Sequence, residues 1–186
     1  MKYMQGIITG ASLTLCLLLL IAAKQDVTEV DNIFNISIKR VIDGDTVKDK
    51  KEVSYRLIGI NSPERGRMGF QESKLELAKL IANCDSKSNF DKNIEMLITM
   101  DGVNNPIIIE GNLTKKDYYG RELAYLSCGD NLINEQMVSN GYAISYRKYP
   151  HSKTTTYNKL EDIAKENNLG LWPIWKKYGY NQKPND

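Results

Sequence analysis

The chain opens with one long apolar run and then breaks into short segments of alternating or helical period. Lys2 precedes an uncharged stretch over 3–23, densest over 15–23, and Lys24 ends it. A short basic start, an apolar centre and the small residues Ala22 and Ala23 form the pattern of a secretory signal. The run also approaches the ~20 residues that span a bilayer. Residues 1–24 therefore read as an N-terminal hydrophobic helix, either a cleaved signal peptide or a membrane anchor. Polar residues over 25–35 read as a linker. Ile36, Ile38 and residues 40–42 begin a strand, Asp43-Gly44-Asp45 turns it, and Thr46 and Val47 start the return. A third strand covers 53–60 and stops before Pro63, which cannot donate to a ladder.

Phe70, Leu77, Ala78 and Ile81 share one helical face, which predicts a helix over 71–83. Residues 85–106 pass from polar to apolar and turn at Asp101-Gly102, the pattern of an inserted hairpin. Ile107 resumes the sheet to Glu110, and 122–127 pairs with it. Helices are predicted over 132–140, closed by Gly141, and over 157–167, with Leu160, Ile163 and Ala164 turned inward. Beyond Trp172 the chain reads as a basic, polar tail over 174–186. About five short strands and about three helices suggest a mainly β, α+β domain over 36–173. Its architecture would be a small Greek-key barrel of the oligonucleotide-binding (OB) type.

Composition narrows the function classes. A chain of 186 residues holds one domain with a real core plus an appendage. Its 25 basic and 23 acidic residues leave a formal charge of +2, so bulk charge gives no case for a polyanion partner. Any phosphate affinity has to come from local clustering. With a single histidine, His151, chemistry needing several imidazoles is excluded, and His151 itself reads as a solvated loop residue. No Gly-x-Ser-x-Gly elbow, P-loop or dinucleotide fingerprint occurs.

Three segments carry the chemistry: VIDGDTV (41–47), YRLIGINSPE (55–64) and DYYGRELAY (117–125). Together they set carboxylates, an amide oxygen and two arginines at strand ends. Hard oxygen ligands suit Ca²⁺, and guanidinium forks suit phosphate. In wording and order these segments resemble the staphylococcal nuclease (thermonuclease) family of Ca²⁺-dependent phosphodiesterases, and the resemblance runs from about residue 36 to 172, interrupted by 85–106.

The resemblance implies the OB fold and a set of roles. Asp45 matches the first metal-binding aspartate, with Asp43 nearer bulk solvent. Ser62 matches the position whose main-chain carbonyl binds metal. Asn61 stands where a second acidic ligand is expected; its amide oxygen can still bind Ca²⁺, without the negative charge. Glu64 matches the carboxylate that handles the attacking water, and Arg56 and Arg121 match the phosphate clamps. Tyr119 matches a phosphate-contacting tyrosine. Tyr146 and Tyr149 flank Arg147 and Lys148, and one of them, taken here as Tyr149, would contact a nucleotide. The implied activity is hydrolysis of DNA, and of RNA, by a monomer with little sequence preference, at the 5′-oxygen bond. The alternative is an OB-fold domain that binds nucleic acid without cutting it, because Asn61 replaces an acidic ligand. The resemblance also brings the ends that bear Cys84 and Cys128 near each other, which leaves a disulfide or two free thiols. The expected location is outside the cytoplasm: secreted, periplasmic or membrane-anchored.

Overall fold

A computed structural model describes residues 32–84, 107–111 and 116–184. The hydrophobic stretch 1–24 and the insertion 85–106 lie outside the described residues. Among the described residues, no helix is long and apolar enough to cross a membrane.

The sheet begins with β1 (Asn32–Ile36) and β2 (Ile38–Asp43), separated by Ser37. β3 (Thr46–Asp49), β4 (Ser54–Leu57), β6 (Ile107–Gly111) and β7 (Glu122–Cys128) complete it, in the order β1-β6-β7-β4-β3-β2. β8 (Asn131–Leu132) adds to β7, and β5 (Ile60–Asn61) pairs separately with β9 (Ile144–Ser145). Of these pairings, β4 with β7 is parallel. The two ends of the order, β1 and β2, are consecutive in the chain, so one bent segment supplies both and the mixed sheet curls. Among the described residues, four helices accompany it: α1 (Phe70–Ala82), α2 (Ile133–Ser139), α3 (Thr154–Glu166) and α4 (Trp172–Tyr178).

The core fills the space between sheet and helices. Val41, Val47, Leu57, Ile109 and Leu126 come from the strands. Leu77 and Ile81 of α1, Ile133 and Met137 of α2, and Tyr157 of α3 meet them. Each such side chain removed from water stabilises the fold by about 1.5–3 kcal/mol. A second cluster joins Ala164 and Leu171 to Trp172 and Trp175. Cys84, at the end of α1, is bonded to Cys128, at the end of β7, with Cα atoms 5.5 Å apart.

Four expectations change. The last residues of the expected linker form β1, which pairs antiparallel with β6. The strand expected over 53–60 divides into β4 and β5, because Gly59 turns the backbone with φ +77° over the His151 ring, where no side chain would fit. In α3 the buried positions are Tyr157, Glu161 and Ala164, Leu160 packs partly buried against the core as expected, and Ile163 faces solvent. The inward face follows the i, i+4, i+7 row through a buried glutamate, which a search for apolar residues passes over. Finally, the expected polar tail begins inside α4, which Trp172 and Trp175 anchor.

Candidate active site

The β2–β3 turn carries the first carboxylates. Asp43 Oδ1 accepts the Asp45 amide at 3.0 Å, closing an Asx turn. Gly44 between them is demanded by crowding: a methyl group there would strike Ser73 of α1 and Ser62. Asp45 is buried, and three groups hold its carboxylate. Arg56 Nε lies 3.1 Å from Oδ1, Thr46 Oγ1 donates to Oδ1 at 3.1 Å, and the Ser62 amide donates to Oδ2 at 2.7 Å. Asp43 is half-buried, nearer solvent than the buried Asp45 as expected. Burial first, and the Asp45 carboxylate second, push its pKa up to about 6. Two carboxylates crowded in this way are a pair that a cation relieves.

Arg56 comes from β4, opposite Thr46 in the ladder. Its guanidinium spans the site: Nε to Asp45, Nη2 to Asn61 Oδ1 at 3.1 Å, and Nη1 to the Leu57 carbonyl. The Tyr146 ring lies beneath it, 5.9 Å from its centre. Asn61, on β5, is gripped from its other side by Tyr180. Asn61 Nδ2 donates to the tyrosine oxygen at 2.8 Å, and the tyrosine hydroxyl donates to the Asn61 carbonyl at 3.0 Å. Burial and the nearby Asp45 carboxylate raise the Tyr180 pKa and keep its hydroxyl protonated.

Glu64 stands exposed at the rim after Pro63, its amide bonded to Asn181 Oδ1 at 3.0 Å. Across the cleft, Asp117 folds the Tyr-Tyr-Gly-Arg loop on itself. Its Oδ1 accepts the amides of Tyr119 and Arg121, both at 2.9 Å. Its Oδ2 takes Arg121 Nε and Nη2, each at 2.7 Å, leaving Nη1 to reach Thr46 Oγ1 at 3.0 Å. Burial alone would raise the Asp117 pKa, but the bonds from Arg121 outweigh it and hold the carboxyl below the ordinary range. Tyr119 stacks by the Arg121 guanidinium at 5.4 Å and is 79% exposed.

Asp43, Asp45, Arg56, Asn61, Glu64, Asp117 and Arg121 open into one cleft of about 740 Å³, with Tyr180 and Asn181 behind its lining. Every sequence-predicted site residue lines it: Asp45, Arg56, Asn61, Ser62, Glu64, Tyr119, Arg121 and Tyr149. His151 is a correction. It is a partly buried floor residue of the cleft, its Nδ1 2.9 Å from the Tyr125 hydroxyl and its ring against Tyr157. Sequence reasoning gave no role to Asp117, Tyr180 and Asn181. A carboxylate four residues before Arg121 was a readable signal for Asp117. Tyr180 and Asn181 had none, lying in a polar stretch without period.

The oxygen donors side by side at the cleft are the Asp45 carboxylate, with Asp43 next to it, and the Asn61 amide oxygen. These are hard oxygen ligands, and they fit an alkaline-earth cation better than a thiophilic metal. Among the described residues there is no group of three or more His, Cys, Asp or Glu side chains able to hold a metal.

A family model described as Staphylococcal nuclease homologue matches residues 54–174. The chain belongs to the staphylococcal nuclease family. It is 30% identical over 139 residues to a thermonuclease of Staphylococcus intermedius, covering 73% of this chain and 74% of that one. A thermonuclease of Staphylococcus hyicus is 29% identical over 139 residues, with 73% and 72% covered. An uncharacterized endonuclease of Haemophilus influenzae is 27% identical over 139 residues, with 73% and 64% covered. The protein is a nuclease, a phosphodiester hydrolase whose substrates are nucleic acids. The binding-only alternative is not favoured, since the family match and the relatives named thermonuclease and endonuclease point to hydrolysis.

Proposed function

We propose that this staphylococcal nuclease homologue is an exported, Ca²⁺-dependent endonuclease acting on DNA, and on RNA, with little sequence preference. The observation that carries the reading is the convergence of Asp45, Arg56, Asn61, Glu64 and Arg121 on one cleft. Asp45, the Asn61 amide oxygen and the Ser62 carbonyl would hold Ca²⁺. The bound ion supplies positive charge beside a phosphoryl oxygen as negative charge grows there.

The chain's own residues do the rest. Glu64, free of a strand and facing the cleft, orients the attacking water and accepts its proton. Arg56 and Arg121 offer fixed N–H pairs to the equatorial oxygens, stronger as charge develops than in the ground state. Both arginines are pre-oriented by carboxylates, Asp45 and Asp117, so little rotamer freedom is lost on binding. Tyr119 and Tyr149, exposed on the walls, give faces for stacking bases without reading them, at ~1–3 kcal/mol each. The curled sheet suits an OB-type barrel, whose face and loops accept oligonucleotides. Export agrees with the N-terminal apolar stretch and with the Cys84–Cys128 bond, which persists in oxidising compartments.

The test uses the purified full-length chain with single-stranded DNA, double-stranded DNA and RNA over a Ca²⁺ series, with chelator and with Mg²⁺ or Zn²⁺ in parallel. Chelator is expected to abolish cleavage, and Ca²⁺ to restore it best. Cleavage that persists in chelator would overturn the metal assignment.

A further inference from the structure

We propose that Tyr180, with Asn181 and Gln182 after it, is a positioning strap that presents the Asn61 amide oxygen to the site and fixes the loop bearing Glu64. This rests on the hydrolytic reading above and extends it beyond residue 174, where the family match ends. Position 61 carries a carboxamide, whose two ends differ: one accepts and one donates. Arg56 has only donors, so its Nη2 can take only Oδ1, at 3.1 Å. Nδ2 then needs an acceptor in a half-buried place, and the Tyr180 oxygen is that acceptor at 2.8 Å. The hydroxyl proton goes to the Asn61 carbonyl at 3.0 Å, so one side chain satisfies both the amide and its own backbone.

The match is specific to an amide. An aspartate at 61 would offer acceptors at both ends, and one hydroxyl proton would then serve two oxygens. Tyr180 is thus the partner that makes Asn61 a directed ligand rather than a rotating one. Its neighbours bind the same loop. Asn181 Oδ1 takes the Glu64 amide at 3.0 Å, and the Gln182 carbonyl takes the Met68 amide at 2.9 Å. Asn181 adopts φ +59°, a left-handed conformation that asparagine tolerates better than most residues and that turns the chain back to the site. The Trp175 ring, 5.1 Å from that of Tyr180, seats the strap on α4.

Tyr180→Phe keeps the ring and removes the hydroxyl. In the full-length chain it should raise the Ca²⁺ midpoint for binding, measured by calorimetry, by roughly 10- to 100-fold, the usual effect of losing a group that orients a metal ligand. Exchange of the Asn61 side-chain amide protons, followed by NMR without metal, should rise at least about tenfold by the same loss of a hydrogen bond. Asn181→Ala should raise exchange at the Glu64 amide while leaving Asn61 unchanged. Tyr178→Phe, on the exposed side of α4, should change none of these. Adding Asn61→Asp to Tyr180→Phe should recover Ca²⁺ affinity by more than the same change in the Tyr180 background. Unchanged Asn61 exchange in Tyr180→Phe would overturn the strap even if the nuclease is Ca²⁺-dependent. Accelerated exchange with no Ca²⁺ response in the parent chain would uphold the strap's grip on Asn61 and overturn the metal reading instead.

Discussion

At the scale of single residues, the site depends on groups that restrain one another. Arg56 touches Asp45, Asn61 and the Leu57 carbonyl at once, a fork no lysine can reproduce. His151 shows the same economy at the floor of the cleft. Burial first, and Lys153 second, hold its pKa below the ordinary 6.5. The unfolded chain therefore binds a proton at a pH where the folded chain does not. This costs stability as pH falls below about 6.5, until the folded ring protonates too. Asp43 works the other way: raised to about 6, it favours the folded state at low pH and loses that contribution as pH rises through 6. The informative quantity is thus a difference. Urea midpoints of the parent and His151→Phe, measured from pH 7.5 to 5, should show the parent losing more stability on acidification. Parallel curves would remove the lowered His151 pKa from the account.

At the scale of elements, periodicity revealed what packing against an apolar core controls. The face of α1, Phe70, Leu77, Ala78 and Ile81, is buried as its spacing predicts. The Asp-Gly-Asp turn and the β6–β7 pair also stand where their sequences put them. What periodicity missed is held by polar groups or by single contacts. The β4–β5 break depends on the His151 ring under Gly59, and α3 turns Glu161 inward because its Oε2 accepts the Ser145 amide at 2.7 Å. Asn134 of α2 is another such device. Its Oδ1 accepts the Leu126 amide at 2.9 Å, and its Nδ2 donates to the Ile58 carbonyl at 3.0 Å, joining helix to sheet where ladder bonds end. Asn134→Ala should lower unfolding free energy by about 2–4 kcal/mol, because buried backbone groups lose partners. A loss under about 0.5 kcal/mol in urea titration would show that water replaces the side chain, and that the residue is not a joint.

At the scale of the whole molecule, distant segments meet at one cleft: the β2–β3 turn, β4, β5 and the loop before β7, with the strap after α4 bonded to Asn61 and Glu64 from behind. The three motifs made most of that cleft legible, since their residue types name their own chemistry. The strap was illegible because Tyr180 acts through one hydroxyl at a sequence distance of 119 residues from Asn61. The Cys84–Cys128 bond holds the far ends of α1 and β7 together across 44 residues. In the chain-entropy view, closing a loop of that length stabilises the fold by about 4 kcal/mol. Reduction, or Cys84→Ser with Cys128→Ser, should lower unfolding free energy by about 2–4 kcal/mol while leaving the cleavage rate of the folded protein unchanged. A stability change near zero would mean that the reduced chain keeps those ends together by packing alone.

The central claim is that the cleft hydrolyses nucleic acid through Glu64, Arg56 and Arg121. The most direct measurement is single-turnover cleavage of DNA at saturating Ca²⁺ by the parent chain and by Glu64→Gln, Arg56→Lys and Arg121→Lys, each checked for native circular dichroism. Each folded variant should lose roughly 10²- to 10³-fold in rate. A folded Glu64→Gln variant that cleaves at the parent rate would contradict the account.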